Sequence, residues 1–457
     1  MADRAGPDRA APDTAGEATA ATTGTLSTAA PGMVRWWMAG LLLGPITFVM
    51  SLDRTAIVIA APTIQGEYHF SLVQMSYLLT SFSWTYALLQ VPSGWLAERF
   101  GPRRMLYWAN LLWSLLTALT PAGSGFASFV VIRGLLGAGQ SADWPSSVLA
   151  LKRWFPRAER AKANSILLGG LYLGPIAAAP ITTLVILHFG WRSAFYGFGA
   201  LGLLIGFAWW FGFRDDPARH PIMGTPEARF IAAGQAEEPS RPARGAFLAG
   251  LGSVQFWAVG LQYFFLVMIQ SFYSTWLPTY LVHDRKFSLA SMGVYASLPW
   301  VALFVMVFVT GALSDRILRR TGSVWAARVP VAIAGFIVSA LALIAASRTP
   351  QVWLMMTLLC VSLGAIGLTQ VSIWSATQDL GRSSTGVVSG WTNFWGNAAG
   401  VVGPVLTAYL VQWTGSWAGA LLGIALSGVA GAVLWLFVHP ERPVAALAGL
   451  TPANPPT

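Results

Sequence analysis

Apolar runs of about 20 residues recur along almost the whole of this 457-residue chain, more than a water-soluble fold could bury. Each is long enough to cross a hydrocarbon core of about 30 Å as a helix. Twelve can be marked, at roughly 36–61, 74–96, 104–122, 126–150, 163–188, 193–213, 250–281, 291–314, 326–346, 351–376, 385–412 and 416–438. They are too long for barrel strands and lack the alternating pattern of a barrel. Charged residues make up 10% of the chain, against about 25% in a soluble domain. The expected class is therefore an all-α membrane protein with twelve transmembrane helices.

The net charge of +10 resembles a nucleic-acid signal until its placement is read. Lys and Arg fall in alternate loops: Arg99 to Arg104, Lys152 to Lys162, Arg214 to Arg244, and Arg316 to Arg328. The intervening loops carry only Arg192, Arg285, Lys286 and Arg348. This asymmetry places both termini in the cytoplasm and implies no nucleic-acid partner. The single cysteine, Cys360, allows no internal disulfide. Residues 1–34 are rich in Ala, Thr, Pro and Asp and read as a disordered cytoplasmic tail, not a signal peptide. The polar stretch 214–249 then separates a six-helix bundle over 35–213 from a second over 250–440, with a cytoplasmic tail at 441–457.

Three landmarks occur once in each half. Gly94-Trp-Leu-Ala-Glu98-Arg99-Phe-Gly101-Pro-Arg103-Arg104 follows segment 2, and Gly311-Ala-Leu-Ser-Asp315-Arg316 follows segment 8. Gly174-Pro175 in segment 5 matches Gly403-Pro404 in segment 11, and a Gly-Trp corner opens segments 6 and 12. Such a duplication puts a binding cavity between two bundles that rock about it.

Charges at membrane depth locate the chemistry. An ionised side chain there costs roughly 2.5–3.5 kcal/mol on insertion scales and persists mainly beside a wet cavity or a partner. Asp53 and Arg54 are adjacent in segment 1, and segment 4 carries Arg133 and Asp143. Adjacent helical residues lie about 100° apart, so Asp53 and Arg54 do not face each other. No phosphate-binding loop follows the pattern G-x-x-x-x-G-K-[ST], no histidines have metal-ligand spacing, and no nucleophile–base pair stands out. The expectation is a transporter driven by an ion gradient, not an enzyme, with no cofactor, metal or nucleotide.

The loop after segment 2 resembles the signature between helices 2 and 3 of the major facilitator superfamily. Leu52-Asp53-Arg54 together with Arg133 further resembles its anion:cation symporter family, which carries hexuronate, galactonate and aromatic acids. The resemblance covers about residues 35–440. It implies two pseudo-symmetric six-helix bundles and a cytoplasmic gate latched by Gly94, Glu98, Arg99, Gly101, Arg103 and Arg104, with Asp315 and Arg316 in the second half. Glu98 stands where Asp is commoner. At the position of Gln140 the symporters usually hold a glutamate that takes the coupling proton, and glutamine cannot titrate. Three routes stay open: the acid has moved one turn to Asp143, Asp53 couples alone, or exchange is uncoupled. Tyr86 matches a substrate-contact position, and Leu171 stands where sugar-acid carriers commonly use glutamine.

Further polar residues interrupt the apolar runs: Tyr77, Trp84 and Gln90 in segment 2, Gln262, Gln270 and Tyr273 in segment 7, and Asn393 and Asn397 in segment 11. Buried amides at this depth must find partners, either ligand or neighbouring helix. Trp36, Trp37, Trp154, Trp191 and Trp417 lie near segment ends, where interfacial anchoring is the default.

The resulting expectation is a monomeric, multi-pass inner-membrane carrier importing a small organic anion with protons, in contact with lipid. Arg54, Arg133, Tyr86, Gln140, Gln262, Tyr273, Asn393 and Asn397 form the substrate set, and Asp53 and Asp143 carry protons. The substrate expected is a sugar acid such as a hexonate or hexuronate, or another monocarboxylate. The alternatives are an aromatic-acid symporter and a proton-driven exporter. Gly170 and Gly174-Pro175 partly match the antiporter motif, whose trailing glycines are Ala178 and Ala179 here. A non-transporting sensor would need a larger cytoplasmic domain.

Overall fold

A computed structural model describes residues 32–156, 159–235, 246–381 and 385–442. The expected tails at 1–34 and 441–457 lie almost wholly outside them. Among the described residues there is no strand, and nine helical stretches are long and apolar enough to cross a membrane. Helix is the outcome that leaves no backbone polar group facing lipid. In the first half the helices are α1 (Val34–Tyr68), α2 (Leu72–Phe100), α3 (Pro102–Leu119), α4 (Phe126–Gln140), α5 (Asp143–Trp154), α6 (Arg160–Phe189) and α7 (Trp191–Gly212). After a short helix α8 (Thr225–Ala233) and α9 (Ala246–Leu251), the second half runs through α10 (Val254–Asp284), α11 (Leu289–Tyr295) and α12 (Leu298–Thr321). It ends with α13 (Val324–Arg348), α14 (Val352–Gly381), α15 (Thr385–Thr414) and α16 (Trp417–Trp435).

Segment 4 is one apolar run in the sequence but two helices in the structure, α4 and α5. Pro145 lacks the N–H that would bond the carbonyl of Ser141, so the ladder breaks there. Asp143 thereby becomes the first residue of α5, where a helix N-terminus favours negative charge.

Helix pairing repeats between the halves. α1 packs on α6 as α10 packs on α15, α3 on α7 as α13 on α16, and α2 on α4 as α12 on α14. The landmark glycines make two close crossings among them. A Cβ on Gly174 would lie 2.4 Å from Ser51, and one on Gly403 would lie 2.2 Å from Ser271 Oγ. Small residues at such crossings let helix backbones approach closely, which drives association in lipid. The Gly–Trp corners also correspond, Gly190 and Gly415 both taking positive φ (80° and 64°), a region L side chains avoid.

The stretch 214–249 is more than a linker. Its first part folds onto the first bundle through α8, and Glu227 of that helix is 2% exposed. The Glu227 carboxylate accepts from the backbone N–H groups of Val34 and Arg35 (3.2 and 3.1 Å) and from Arg35 Nη1 (2.8 Å). Arg35 Nε and Nη2 also donate to Glu159 (2.7 and 3.0 Å), so one guanidinium ties the start of α1 to α8 and to the connection after α5. The sequence separation of 192 residues hid this partnership. Several expected interfacial tryptophans are buried instead: Trp154 donates to the Arg214 carbonyl (2.9 Å) and Trp191 to Glu67 (2.7 Å), while Trp417 packs against Trp276.

The two halves meet at the ends remote from the arginine-rich loops. Tyr77 and Tyr409 share a hydrogen bond of 3.3 Å between α2 and α15, and a Cβ on Gly293 of α11 would lie 2.4 Å from Thr183 Oγ1 of α6. Nearer the arginine-rich end, Asn393 Nδ2 donates to Gln90 Oε1 at 3.4 Å.

Two outcomes are expected. Arg35→Ala leaves Glu227 buried without its cation and should cost about 3–5 kcal/mol of stability, read by chemical unfolding in detergent. A loss near zero would show the clamp to be decorative. Gly293→Leu should hold the remote end open, raising several-fold the labelling of a cavity cysteine from that side in a Cys360→Ala background; unchanged labelling would show that this contact does not control closure.

Candidate functional site

A cavity of about 360 Å³ lies between the halves, lined from α1 by Ser51, Arg54 and Thr55, from α4 by Arg133, and from α10 by Gln270 and Tyr273. A second of about 210 Å³ shares Arg54 and Tyr263 with it and adds Tyr86, Asn393 and Asn397. Six of the expected substrate residues, Arg54, Arg133, Tyr86, Tyr273, Asn393 and Asn397, therefore line one or other cavity.

Gln262 does not. It is fully buried and donates to the Val259 carbonyl of its own helix (3.0 Å), while the next residue, Tyr263, turned by about 100°, lines both cavities. Tyr263 was not singled out in the sequence, since an aromatic in an apolar run reads as core. Trp84 is likewise off the cavity, being 55% exposed on the outer face of α2.

Gln140 sits behind the cavity wall. It is fully buried, and its Oε1 accepts from Arg54 Nε at 2.8 Å. It thus orients an arginine instead of touching the cavity. Both oxygens of Asp143 are buried on the same side, and among the described residues neither has a hydrogen-bond partner.

Asp53 faces away from the cavity and is 1% exposed. Thr117 of α3 donates to its Oδ2 at 3.4 Å, and Oδ1 has no hydrogen-bond partner among the described residues. The charge acting on Asp53 is that of Arg133, whereas Asp143 feels Arg54. The acids thus face the arginines crosswise between helices, and an anion at Arg54 does not compete directly with Asp53. The 100° step from Asp53 to Arg54 is the reason: one side chain takes the cavity and the other takes the bundle interior. Among the described residues no direct ion pair joins these four side chains.

The expected gate residues divide. Gly94 packs beside Pro145, and Glu98, Arg99 and Arg104 are exposed. Arg103 donates to the Trp210 carbonyl through Nε and Nη2 (3.1 and 2.6 Å), and its backbone N–H to Asp215 Oδ1 (2.9 Å). Arg153 at the end of α5 reaches the same Asp215 oxygen at 3.5 Å. These contacts stay within the first half, so in this conformation Arg103 braces a bundle instead of latching two together. In the second half Arg316 is exposed, and the Asp315 side chain lies outside the described residues. Arg328 there pairs with Asp379 at 3.5 Å.

A sequence profile of the Major Facilitator Superfamily matches residues 43–404. The chain belongs to that family. It is a multi-pass membrane transporter rather than an enzyme. Over 399 residues it is 31% identical to the probable sulfoacetate transporter SauU of Cupriavidus necator, covering 86% of this chain and 91% of the relative. It is 29% identical to the probable galactarate/D-glucarate transporter GudP of Escherichia coli, covering 88% and 92%, and 30% identical to the hexuronate transporter of Bacillus subtilis, covering 85% and 91%. The fold is similar to the crystal structure of a bacterial homologue of the human lysosomal transporter Spinster, inward-facing and unoccupied. The TM-score is 0.70 at 18% identity, over 92% of this chain and 97% of that one.

Gly101 offers a direct check on the brace. It takes φ +85°, and a Cβ there would lie 2.5 Å from Asp215 Oδ2. With ψ at 147° this backbone is essentially reserved for glycine, so Gly101→Ala should destabilise the protein by about 1–3 kcal/mol through the backbone alone, read as a lowered midpoint in detergent unfolding. A parent-like midpoint would mean that the turn relaxes freely.

Proposed function

We propose that this chain carries a small organic anion across the inner membrane together with protons, by alternating access of two six-helix bundles with both termini cytoplasmic. One observation carries the reading: two arginines line a cavity between the halves, and behind them lie two buried carboxylates that neither arginine pairs with directly. The relatives named for sulfoacetate, galactarate or D-glucarate, and hexuronate all handle small anions, and they match over most of their length.

Guanidinium groups stay charged when desolvated and present a planar fork that matches a carboxylate or sulfonate. An anion entering the cavity takes the attention of Arg133 and so loosens its hold on Asp53; at Arg54 it does the same for Asp143. Each acid then holds a proton more readily, and by reciprocity a protonated acid strengthens anion binding. Gln140 stands in for a titratable group without being one, and it fixes the Arg54 fork toward the cavity. Asp143, fully buried near Arg54, is the acid that replaces it. Passage of the carrier loaded with anion alone is disfavoured, because a desolvated carboxylate then lacks both its proton and the cation that the anion has taken. Glu98, Arg99 and Arg104 are exposed in this conformation, which suits a latch that engages when the arginine-rich ends close. The working unit proposed is the monomer, with the proton gradient as the only driving force.

Uptake into proteoliposomes under an imposed pH gradient, screened with sulfoacetate, D-glucarate, hexuronates and aromatic acids, tests the reading. Asp53→Asn should abolish accumulation while leaving counter-exchange, and Asp143→Asn should impair it in the same way. Arg54→Lys and Arg133→Lys should each raise the KM roughly tenfold or more, the scale of a charge-assisted hydrogen bond. If Asp53→Asn accumulates substrate as the parent does, proton coupling at this residue is wrong. If no organic anion is taken up, the substrate class is wrong.

A further inference from the structure

Phe82 of α2 is the ring that both cavity arginines share. Arg54 Cζ lies 4.8 Å from its centroid and Arg133 Cζ lies 5.2 Å from it. Both distances fall within the roughly 6 Å over which a guanidinium is attracted to an aromatic face. The ring is held firmly. Phe82 is 6% exposed, Tyr86 stacks on it with centroids 5.6 Å apart and planes 18° apart, and Tyr86 in turn faces Arg54 Cζ at 4.4 Å. Its backbone is fixed as well: a Cβ on Gly137 of α4 would lie 2.2 Å from the Phe82 carbonyl oxygen.

This placement answers a question that the four charges raise. Arg133 is buried in the wall and Arg54 half-buried beside it, two like charges close enough to share one ring. Behind them lie the buried carboxylates of Asp53 and Asp143, and among the described residues no direct ion pair joins either acid to an arginine. Left to itself, a guanidinium in such a setting moves onto the carboxylate and forms a direct bidentate pair. Its forked donors would then be spent on the protein and no longer offered to the cavity. A competing attraction opposes that collapse; Gln140 supplies part of it for Arg54, and the ring of Phe82 lies within reach of both guanidiniums.

We propose that Phe82 is a positioning residue that holds Arg54 and Arg133 at the cavity wall and off Asp53 and Asp143. The inference rests on the proposal that these arginines seat an organic anion. Leucine fills much the same volume but has no π face, and tyrosine keeps the face. The ring therefore acts through its electrons and not through its bulk, which separates positioning from packing.

The test uses the full chain in nanodiscs with Phe82→Leu and Phe82→Tyr, and Phe82→Met in place of leucine if that variant fails to fold. Structures of the variants supply a readout that needs no ligand. In Phe82→Leu at least one of Arg133–Asp53 and Arg54–Asp143 should close to a direct ion pair; in Phe82→Tyr both should stay apart. Equilibrium binding of sulfoacetate and of D-glucarate supplies the second readout. Wherever the parent binds, the dissociation constant should rise roughly tenfold in Phe82→Leu, the scale of a desolvated cation–π contact, and stay near the parent's in Phe82→Tyr. Arginines that keep their places in Phe82→Leu would overturn the proposal, as would a tyrosine variant that behaves like leucine. If neither anion binds the parent, the choice of substrate fails while the structures still decide the role of the ring.

Discussion

Inside a bilayer no water is at hand to settle a polar group, so each charge must be placed against another charge, a dipole or an aqueous cavity. In this transporter that constraint converges on four side chains. Asp53, Arg54, Arg133 and Asp143 come from two stretches of chain that meet between the halves, and their neighbours serve them. Thr117 bonds Asp53, Gln140 bonds Arg54, and Phe82 and Tyr86 offer aromatic faces to the guanidiniums. The acids stay buried in the bundle while the arginines reach the cavity.

The scaffold holding these groups is made of close crossings. Ser51 and Arg54 lie on the α1 face that meets α6, and the contact of Ser51 with Gly174 sets how near the two helices come. The Ser51 hydroxyl completes the crossing by donating to the Leu171 carbonyl at 2.8 Å. The second half repeats the device with Ser271 and Gly403, and Gln270 and Tyr273 are carried into the cavity beside it. Two π-helical turns, at Phe272–Trp276 and Tyr280–Asp284, flank Pro278 in α10. Such turns rotate the residues that follow, and they are common at functional sites. Here one of them sets Tyr273 and Ser274 against the cavity.

At the arginine-rich end, the first bundle is fastened by charges the membrane does not cover. Arg35 joins Glu159 and Glu227, and Asp215 receives Arg103 and Arg153. The stretch between the halves is thus partly a structural piece of the first bundle. A rocking bundle has to move as one body, and these ties couple the start of α1, the end of α5 and the end of α7 to one another.

The sequence by itself determined the class, the helical segments, the duplication and the charged residues at membrane depth. Hydrophobic length, loop charge and the spacing of glycines are local properties, and in lipid they leave helix as the one outcome. Six of the eight residues expected at the substrate site, Arg54, Arg133, Tyr86, Tyr273, Asn393 and Asn397, line a cavity, and they stood out in the sequence because a polar or charged residue in an apolar run needs a reason. The face each residue presents was decided only in the tertiary structure. Gln262 and Tyr263 are neighbours on one helix, and which of them meets the cavity depends on how α10 is rotated against α15. Asp53 and Arg54 part for the same reason. The partnerships of Arg35 with Glu227 and of Phe82 with Arg133 also belong to the fold, since side chains far apart in the chain meet only once the helices have packed.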